Sequence, residues 1–348
     1  MERPDLTGVD ADVVAYIEAL EVELERGRGG TRAARPAVEE DPEAAYHEPP
    51  TPFSVLTFSA GGLVKRTPRH LYGRQRRGGM GVFDLDAPDS DAPVLLAVLH
   101  EAQDALLFTS EGRAFRLPVG ELLESPVRAK GQPLSEWLPL RSGERVVAAL
   151  PDQGGAYVVL AAERGWVHRV RASFLGPRMI PGMVFHEVKQ GGPLVGASWT
   201  TGDGDVFVAT RRGMAIRFPE QRIHEVSGSL GIRLERGDSV AAVAGVTETS
   251  GLFLLGDEGK GTVRLMSGFA VNKMPGGGGK IALKTETFVA AIPAAEDDDV
   301  FVISQLSKII RFAASEVPPK EGVVQGVNCI ALRADQAVAA AVAVKRET

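Results

Sequence analysis

The stretch VFVATRRGMAIRFP, residues 206–219, consists of two short apolar segments joined by a turn. Gly213 stands where the chain must reverse, and the flanking segments contain Val, Ile and Phe. Short β-branched and aromatic runs on either side of a glycine turn are typical of a β-hairpin. The same pattern recurs along the chain, so this stretch decides the fold class.

Six copies of the hairpin pattern follow one another after residue 51. In each copy an arginine follows the turn residue by four positions, and successive turn residues are 47 to 53 positions apart. The pairs of turn residue and arginine are Gly62 and Arg66, Gly112 and Arg116, Gly165 and Arg169, Gly213 and Arg217, Lys260 and Arg264, and Ser307 and Arg311. A repeat of this length, built from short strands, indicates a propeller or a related array.

Each unit contains enough sequence for about four short strands. A second glycine lies 17 to 19 residues beyond each turn residue, and each unit closes with an apolar segment that is often rich in small residues. Small side chains suit the crowded strands near a central axis, and residues 52–345 show no helical periodicity. We therefore predict an all-β fold, a propeller-like ring of six blades.

The six arginines at the repeated position form what we call the arginine column. The residue after each is apolar in five of the six units. Because side chains alternate between the two faces of a strand, the arginines are expected to point away from the core. Two interpretations are open: ion pairs between blades, or a belt of positive charge around the rim.

Residues 1–50 differ in charge from the rest of the chain. They contain 13 acidic and 5 basic side chains, whereas the remainder contains 32 acidic and 34 basic. A single apolar stripe, Val13, Ile17, Leu20 and Leu24, predicts a short helix over residues 9–25, and residues 26–50 resemble a flexible linker. We predict an acidic N-terminal segment over 1–50 and a ring domain over 51–348. The helix either docks on its own domain or is frayed, or it forms a homodimer.

The sequence gives no sign of catalytic chemistry. The one cysteine, Cys329, excludes an intrachain disulfide and a cysteine-rich zinc site, and we expect it to be a buried core residue. The histidines lack metal-ligand spacing, and no nucleophile or phosphate-loop motif occurs. We therefore expect no enzymatic activity by this chain alone, no metal and no cofactor. With no membrane-spanning stretch and no signal-peptide pattern, a cytoplasmic location is expected.

The loop after the first hairpin is the most basic of the six equivalent loops. Its central part, GRQRRGGMG (residues 73–81), contains Arg74, Arg76 and Arg77 among four glycines. Guanidinium groups match phosphate oxygens, and glycine lets a backbone come close to a ligand. This composition indicates a contact with the backbone of a nucleic acid rather than with its bases.

The heptapeptide QRRGGMG, residues 75–81, resembles the gyrase A box QRRGGKG of the C-terminal domain of the DNA gyrase A protein. Residues 62–72, 128–151 and 209–218 are also similar to that domain. The resemblance implies a six-bladed β-pinwheel that wraps duplex DNA around a basic rim. Carried over to this chain, it places Gln75, Arg76, Arg77, Gly78, Gly79 and Gly81 in the wrapping element. With them we predict DNA contacts by Arg74, Lys65 and the arginine column.

Two features depart from the gyrase pattern. Met80 stands at the lysine of the box, and only about 50 residues precede the ring, without a tyrosine in the context of the catalytic region. The resemblance thus implies a chain that does not cut DNA. We expect a nucleoid-associated protein that binds and bends duplex DNA, alone or in trans with a type II topoisomerase. The alternative is a protein-interaction propeller that has lost DNA wrapping, which the weak positive charge of the ring slightly favours.

Overall fold

The computed structural model describes residues 48–345. The predicted helix over residues 9–25 and most of the predicted linker lie outside this range. The N-terminal segment, its boundary with the ring domain and the homodimer therefore stay predictions.

Residues 48–345 form 25 strands in six sheets, and each sheet is one blade. A blade has an inner strand, a hairpin of two central strands and a short outer strand. The hairpins of blades 1 to 6 are β1 (Phe53–Ser59) with β2 (Leu63–Pro68), β5 (Asp104–Thr109) with β6 (Arg113–Pro118), β9 (Tyr157–Ala162) with β10 (Trp166–Arg171), β13 (Asp205–Thr210) with β14 (Met214–Pro219), β17 (Gly251–Gly256) with β18 (Lys260–Leu265), and β21 (Asp299–Ser304) with β22 (Lys308–Ala313).

The remaining strands are the inner and the outer strands. The inner strands of blades 1 to 6 are β4 (Pro93–His100), β8 (Val146–Pro151), β12 (Leu194–Thr200), β16 (Val240–Val246), β20 (Phe288–Pro293) and β25 (Ala337–Ala343). The outer strands, in chain order, are β3 (Val82–Phe83), β7 (Gln132–Pro133), β11 (Met183–Val184), β15 (Ser229–Leu230), β19 (Lys280–Ile281), β23 (Pro319–Lys320) and β24 (Val327–Asn328).

The helical content between residues 48 and 345 is limited to eight one-turn 3-10 helices. They span Arg69–Leu71, Val119–Glu121, Leu134–Glu136, Ala172–Leu175, Val188–Gln190, Glu220–Arg222, Met266–Gly268 and Ala314–Glu316. Six of them directly follow the second strand of a hairpin and start the loop that leads to an outer strand. The prediction of an all-β ring with about four strands per blade is confirmed.

Each outer strand belongs to the blade before the unit that supplies it. β7 pairs with β2 of blade 1, although it follows β6 in the chain, and the same shift recurs in every later unit. The first unit supplies β3 to β22 of blade 6, where Val82 lies opposite Ile309. The ring is therefore closed by strand pairing between its first and last units.

The hydrophobic core lies between the blades. Each buried cluster draws side chains from two neighbours, such as Leu56 and Leu107 from blades 1 and 2, or Val55 and Phe301 from blades 1 and 6. The inner strands of adjacent blades touch all the way around the ring, including β25 against β4. Burying one such leucine or phenylalanine is worth about 1.5–3 kcal/mol. Since both faces of a blade are covered, strand alternation does not separate a core face from a solvent face.

Two buried histidines meet between blades 2 and 3. His168 in β10 and His186 after β11 have ring centroids 5.0 Å apart, and both are buried. Burial and the neighbouring His186 lower the pKa of His168 to about 4, and burial also lowers the pKa of His186. Both imidazoles are therefore neutral at physiological pH.

This pair predicts a loss of stability in acid. Below about pH 6.5 the unfolded chain binds protons that the folded His168 refuses until about pH 4, so stability is full above this window and falls within it. We expect His168 alone to contribute on the order of 2–3 kcal/mol of the loss between pH 7 and pH 4.5. Urea unfolding of the parent and of His168→Phe at both pH values measures it. An equal pH dependence in the two proteins would contradict the prediction, and His224→Gln, at an exposed histidine, is the control.

Candidate nucleic-acid interface

Most of the arginine column is buried: Arg66, Arg217, Arg264 and Arg311 are buried, and Arg116 and Arg169 are half-buried. Arg217 in β14 is only 2% exposed and pairs with Asp205 (2.7 Å) and Glu248 (2.8 Å). It also donates to the carbonyl oxygen of Met266 at 2.7 Å. The prediction that the column points away from the core is wrong, because the next blade covers the face on which these arginines lie. The other interpretation, ion pairs between blades, is correct only in part, because Asp205 and Glu248 belong to the same blade as Arg217 and its bond to the next unit is the one to Met266 O.

Other members of the column repeat this arrangement. Arg66 pairs with Glu101 (2.9 Å) and donates to Leu122 O (3.0 Å), at the end of the next unit's 3-10 helix. Arg116 and Arg311 likewise donate to a carbonyl beside the following 3-10 helix, at Leu175 and Tyr72. Arg169 pairs with Glu225 at 3.0 Å. The guanidinium groups thus fasten each loop to the preceding blade, and we assign them to the fold rather than to a DNA surface.

Arg264 does not belong to the column. In blade 5, Val263 lies opposite Phe253, the place that Arg217 takes opposite Phe207 in blade 4. Arg264 is shifted by one residue, so its side chain is on the other face of the blade, buried near the ring of Phe269. The turn glycine of this unit is Gly259 (φ +76°), not the position of Lys260 that the repeat spacing indicates.

Lys65 is also buried rather than exposed. Its ammonium group, fully removed from solvent, lies 2.6 Å from Asp84 Oδ1. Burial lowers the pKa of Lys65, and the charge of Asp84 offsets part of this effect. The prediction that Lys65 contacts DNA does not fit this position.

The box loop, residues 73–83, joins the first and last units of the ring. The amide of Gln75 donates to Arg311 O (2.7 Å), and that of Gly78 donates to Cys329 O (2.8 Å). In return, Gly79 O accepts from the amide of Ala331 at 2.8 Å. The loop therefore lies along blade 6 before it enters β3.

Two of the three box arginines hold the loop in place. Arg77 donates from Nε to Glu316 O (2.7 Å), and its backbone amide donates to Glu316 Oε2 (2.9 Å). Arg74 pairs with Asp299 at 2.7 Å. Both side chains are half-buried, whereas Arg76 and Met80 are exposed. Among the box arginines, Arg76 is the one presented to solvent.

Gly81 is required by the approach of blade 6. Its φ is +66°, and a Cβ at this position would lie 2.6 Å from Ile309 O. A side chain would thus collide with the strand that β3 joins. The contact with Ile309 therefore explains Gly81 without the close approach of a phosphate that the sequence suggests for the box glycines.

Further cations lie beside the end of the box loop. Lys308 of β22 lies opposite Phe83 of β3, and the guanidinium of Arg128 lies 5.0 Å from the centre of the Phe83 ring. Arg128, Lys130 and Lys308 are exposed. With Arg76 they form what we call the box cation cluster. The DNA contacts predicted from the sequence did not include these three residues, which belong to the second and sixth units. The pairing of β3 with β22 brings Lys308 near the box, and the bridge between Leu85 and Ala129 brings Arg128 and Lys130.

The described residues also bear on metal binding and on membrane insertion. Among residues 48–345, no three His, Cys, Asp or Glu side chains are placed to hold a metal ion. Cys329 is buried as expected, and burial raises the pKa of its thiol to about 12. None of the helices in this range is long and apolar enough to cross a membrane.

Sequence comparison identifies the family of the ring. The family described as "DNA gyrase C-terminal domain, beta-propeller" matches residues 54–91, 103–151, 204–247 and 298–345, which together are just over half of the chain. The chain belongs to this family. The resemblance seen in the box is thereby confirmed over four of the six units.

The curated relatives of this gyrase-type domain are much longer proteins. The DNA gyrase A protein of Chlamydia pneumoniae is 31% identical over 301 residues, which cover 82% of this chain and 36% of the relative. The DNA gyrase A protein of Lawsonia intracellularis is 28% identical over 291 residues, which cover 80% and 36%. The chain thus spans about a third of the length of these relatives.

Solved structures confirm the fold. A DNA gyrase A C-terminal domain superposes with a TM-score of 0.74 at 22% identity, covering 84% of this chain and 100% of that domain. The C-terminal domain of a DNA topoisomerase IV gives a TM-score of 0.58 at 18% identity, covering 83% and 93%. The predicted six-bladed pinwheel is therefore correct. DNA contact by Arg74, Gln75, Arg76, Arg77, Gly78, Gly79 and Gly81 of the gyrase-type box stays a prediction.

Proposed function

We propose that this chain binds duplex DNA at the box loop and bends it along the rim, alone or in trans with a type II topoisomerase. One observation carries the proposal. Residues 69–83 contain four arginines and no carboxylate, ring closure sets Lys308 opposite Phe83, and the bridge between Leu85 and Ala129 sets Arg128 and Lys130 beside the end of the loop. Strand cleavage has no part in this role, and a nucleoid location follows from it.

The proposed contacts are to phosphates. Guanidinium and ammonium groups on an outer loop neutralise phosphate charge without reading base edges. Exposed cations continue along the outer loops of other units, at Arg178, Lys273 and Lys280. These side chains mark a path along the rim, whereas the buried arginine column adds nothing to it. We therefore expect fewer phosphate contacts than a belt of six additional arginines would provide.

Salt dependence tests the proposal. The four residues of the box cation cluster predict a slope of about −3.6 in a plot of log affinity against log salt, at about 0.9 per phosphate. Affinity for a duplex should then fall about 100-fold between 50 and 200 mM salt. Fluorescence anisotropy with a labelled duplex at both concentrations measures this change. Absence of binding at the lower salt concentration would overturn the proposal.

A second candidate, a protein-interaction surface, is favoured by exposed apolar side chains in unit 3. Ile180 (72% exposed), Phe174 (56%) and Val184 (51%) lie on the loop and outer strand that cover blade 2. Apolar groups exposed together on a protein surface often mark a contact with a partner. If the chain binds no duplex but this patch is protected from solvent by a partner, the second function is the correct one.

A further inference from the structure

A buried polar cluster lies where blades 1 and 6 meet. We call it the Lys65 hub, and it consists of Lys65, Asp84, Tyr72, Thr57 and Thr67. Asp84 accepts hydrogen bonds from Lys65 Nζ (2.6 Å), Tyr72 OH (2.6 Å) and Thr57 Oγ1 (2.8 Å). All five side chains are buried. The ring of Tyr72 also meets Phe301 of blade 6 edge to face, 5.8 Å between centroids.

The hub holds both ends of the box loop. Tyr72 is the residue before the loop, and Asp84 is the residue after β3. Lys65 Nζ further donates to the carbonyl oxygens of Pro126 (3.3 Å) and Val127 (2.5 Å). Val127 directly precedes Arg128 of the box cation cluster. One ammonium group therefore ties the two ends of the loop to the segment that carries Arg128.

The other blades do without such a hub. At the position of Lys65 the equivalent strands have Phe115, His168, Ile216, Thr262 and Ile310. The backbone amide of Asp84 donates to the carbonyl of Ser307, in the hairpin turn of the preceding blade. In later units the residues that make the same bond include Phe185, Ala282 and Cys329. A buried ion pair adds little or no stability over apolar residues of the same volume. Stability alone thus gives no reason for charges in the blade that carries the box.

We propose that Lys65 and Asp84 are positioning residues that set the place of the box loop relative to Arg128. The proposal deepens the DNA-bending function and rests on it for its consequence, although the placement itself can be measured without DNA. The two charges satisfy one another only when Tyr72, Asp84 and Val127 converge. The ion pair therefore selects one arrangement of the loop, which an apolar core in its place would specify less tightly.

The experiment replaces the hub by apolar residues and follows the loop. Lys65→Met with Asp84→Leu removes both charges together, so neither is left buried without its partner. A milder variant, Tyr72→Phe, removes one hydroxyl and keeps the ion pair. The control is Arg113→Met with Glu144→Leu, which removes the buried ion pair of blade 2, whose side chains are 9% and 0% exposed. Amide hydrogen exchange of residues 73–83 and plasmid writhe after relaxation are measured for all four proteins.

We expect exchange across residues 73–83 to rise about tenfold in the Lys65–Asp84 variant and about threefold in Tyr72→Phe, with no change in the control. The Lys65–Asp84 variant should keep affinity for a short duplex within about twofold, because the cations remain, but lose most of the writhe. Unchanged exchange in both hub variants, or an equal rise in the control, would overturn the positioning role. A parent that produces no writhe would overturn the bending function instead, and the exchange result would still decide the role of the hub.

Discussion

Replacing Arg217 by alanine is expected to lower the free energy of unfolding by roughly 3–5 kcal/mol, as for other buried ion pairs broken from one side. The substitution leaves the carbonyls of Met266 and Phe269 without their donor and Asp205 without its cation. Arg217 joins blade 4 to the 3-10 helix Met266–Gly268 of the next unit, so its replacement weakens the contact between these two units. Urea unfolding at neutral pH measures the change.

The matched control is Arg211→Ala in the same blade. Arg211 is exposed at the hairpin turn, so its replacement should alter stability by no more than about 0.5 kcal/mol. At low temperature, where both variants are folded, Arg217→Ala and Arg211→Ala should each bind the duplex with the affinity of the parent. If Arg217→Ala is as stable as the parent but its DNA affinity depends less steeply on salt, the arginine column belongs to the DNA surface and not to the fold.

The second large effect is expected for Arg76→Ala combined with Arg128→Ala. Each substitution removes one proposed phosphate contact, so the salt slope should fall in magnitude by about 1.8, half of the value for the cluster. Plasmid writhe should fall sharply, while stability stays within about 1 kcal/mol because both side chains are on the surface. Anisotropy at several salt concentrations and plasmid relaxation assays measure the two effects.

Two comparisons sharpen this test. Arg211→Ala with Arg212→Ala also removes two exposed arginines, but at the hairpin turn of blade 4, and should leave slope and writhe unchanged. Arg77→Ala should act differently from Arg76→Ala. Arg77 holds the loop against Glu316, so its loss should release the loop as well as remove a charge. If the Arg76 and Arg128 variant bends DNA as well as the parent, the box loop is a structural closure of the ring and nothing more.

Several site assignments from sequence depended on local rules that the fold overrides. The alternation of Arg217 with apolar neighbours correctly places its side chain on the face of the strand opposite to Ile216 and Phe218. It gives the wrong environment, because a strand packed between two blades has no solvent face. Arg264 shows a second limit, since a shift of one residue in the turn moves a side chain to the opposite face. Of the predicted cations, Arg76 keeps the exposed position that the box resemblance implies.

The sequence by itself determined the all-β class, the number of units and the place of the unusual loop. Hairpins are local, so a turn glycine between two β-prone runs is enough to encode each one, and six similar units can bury their faces only against each other. The tertiary structure alone decided which unit completes which blade. Pairing β3 with β22 joins the first and last units and brings Lys308 beside the box loop. The return of the chain after β3 buries Asp84 against Lys65 and sets Leu85 beside Ala129, between Arg128 and Lys130. No local pattern reports such a pairing, because it depends on the ring closing and on which backbone edges are then left without hydrogen bonds.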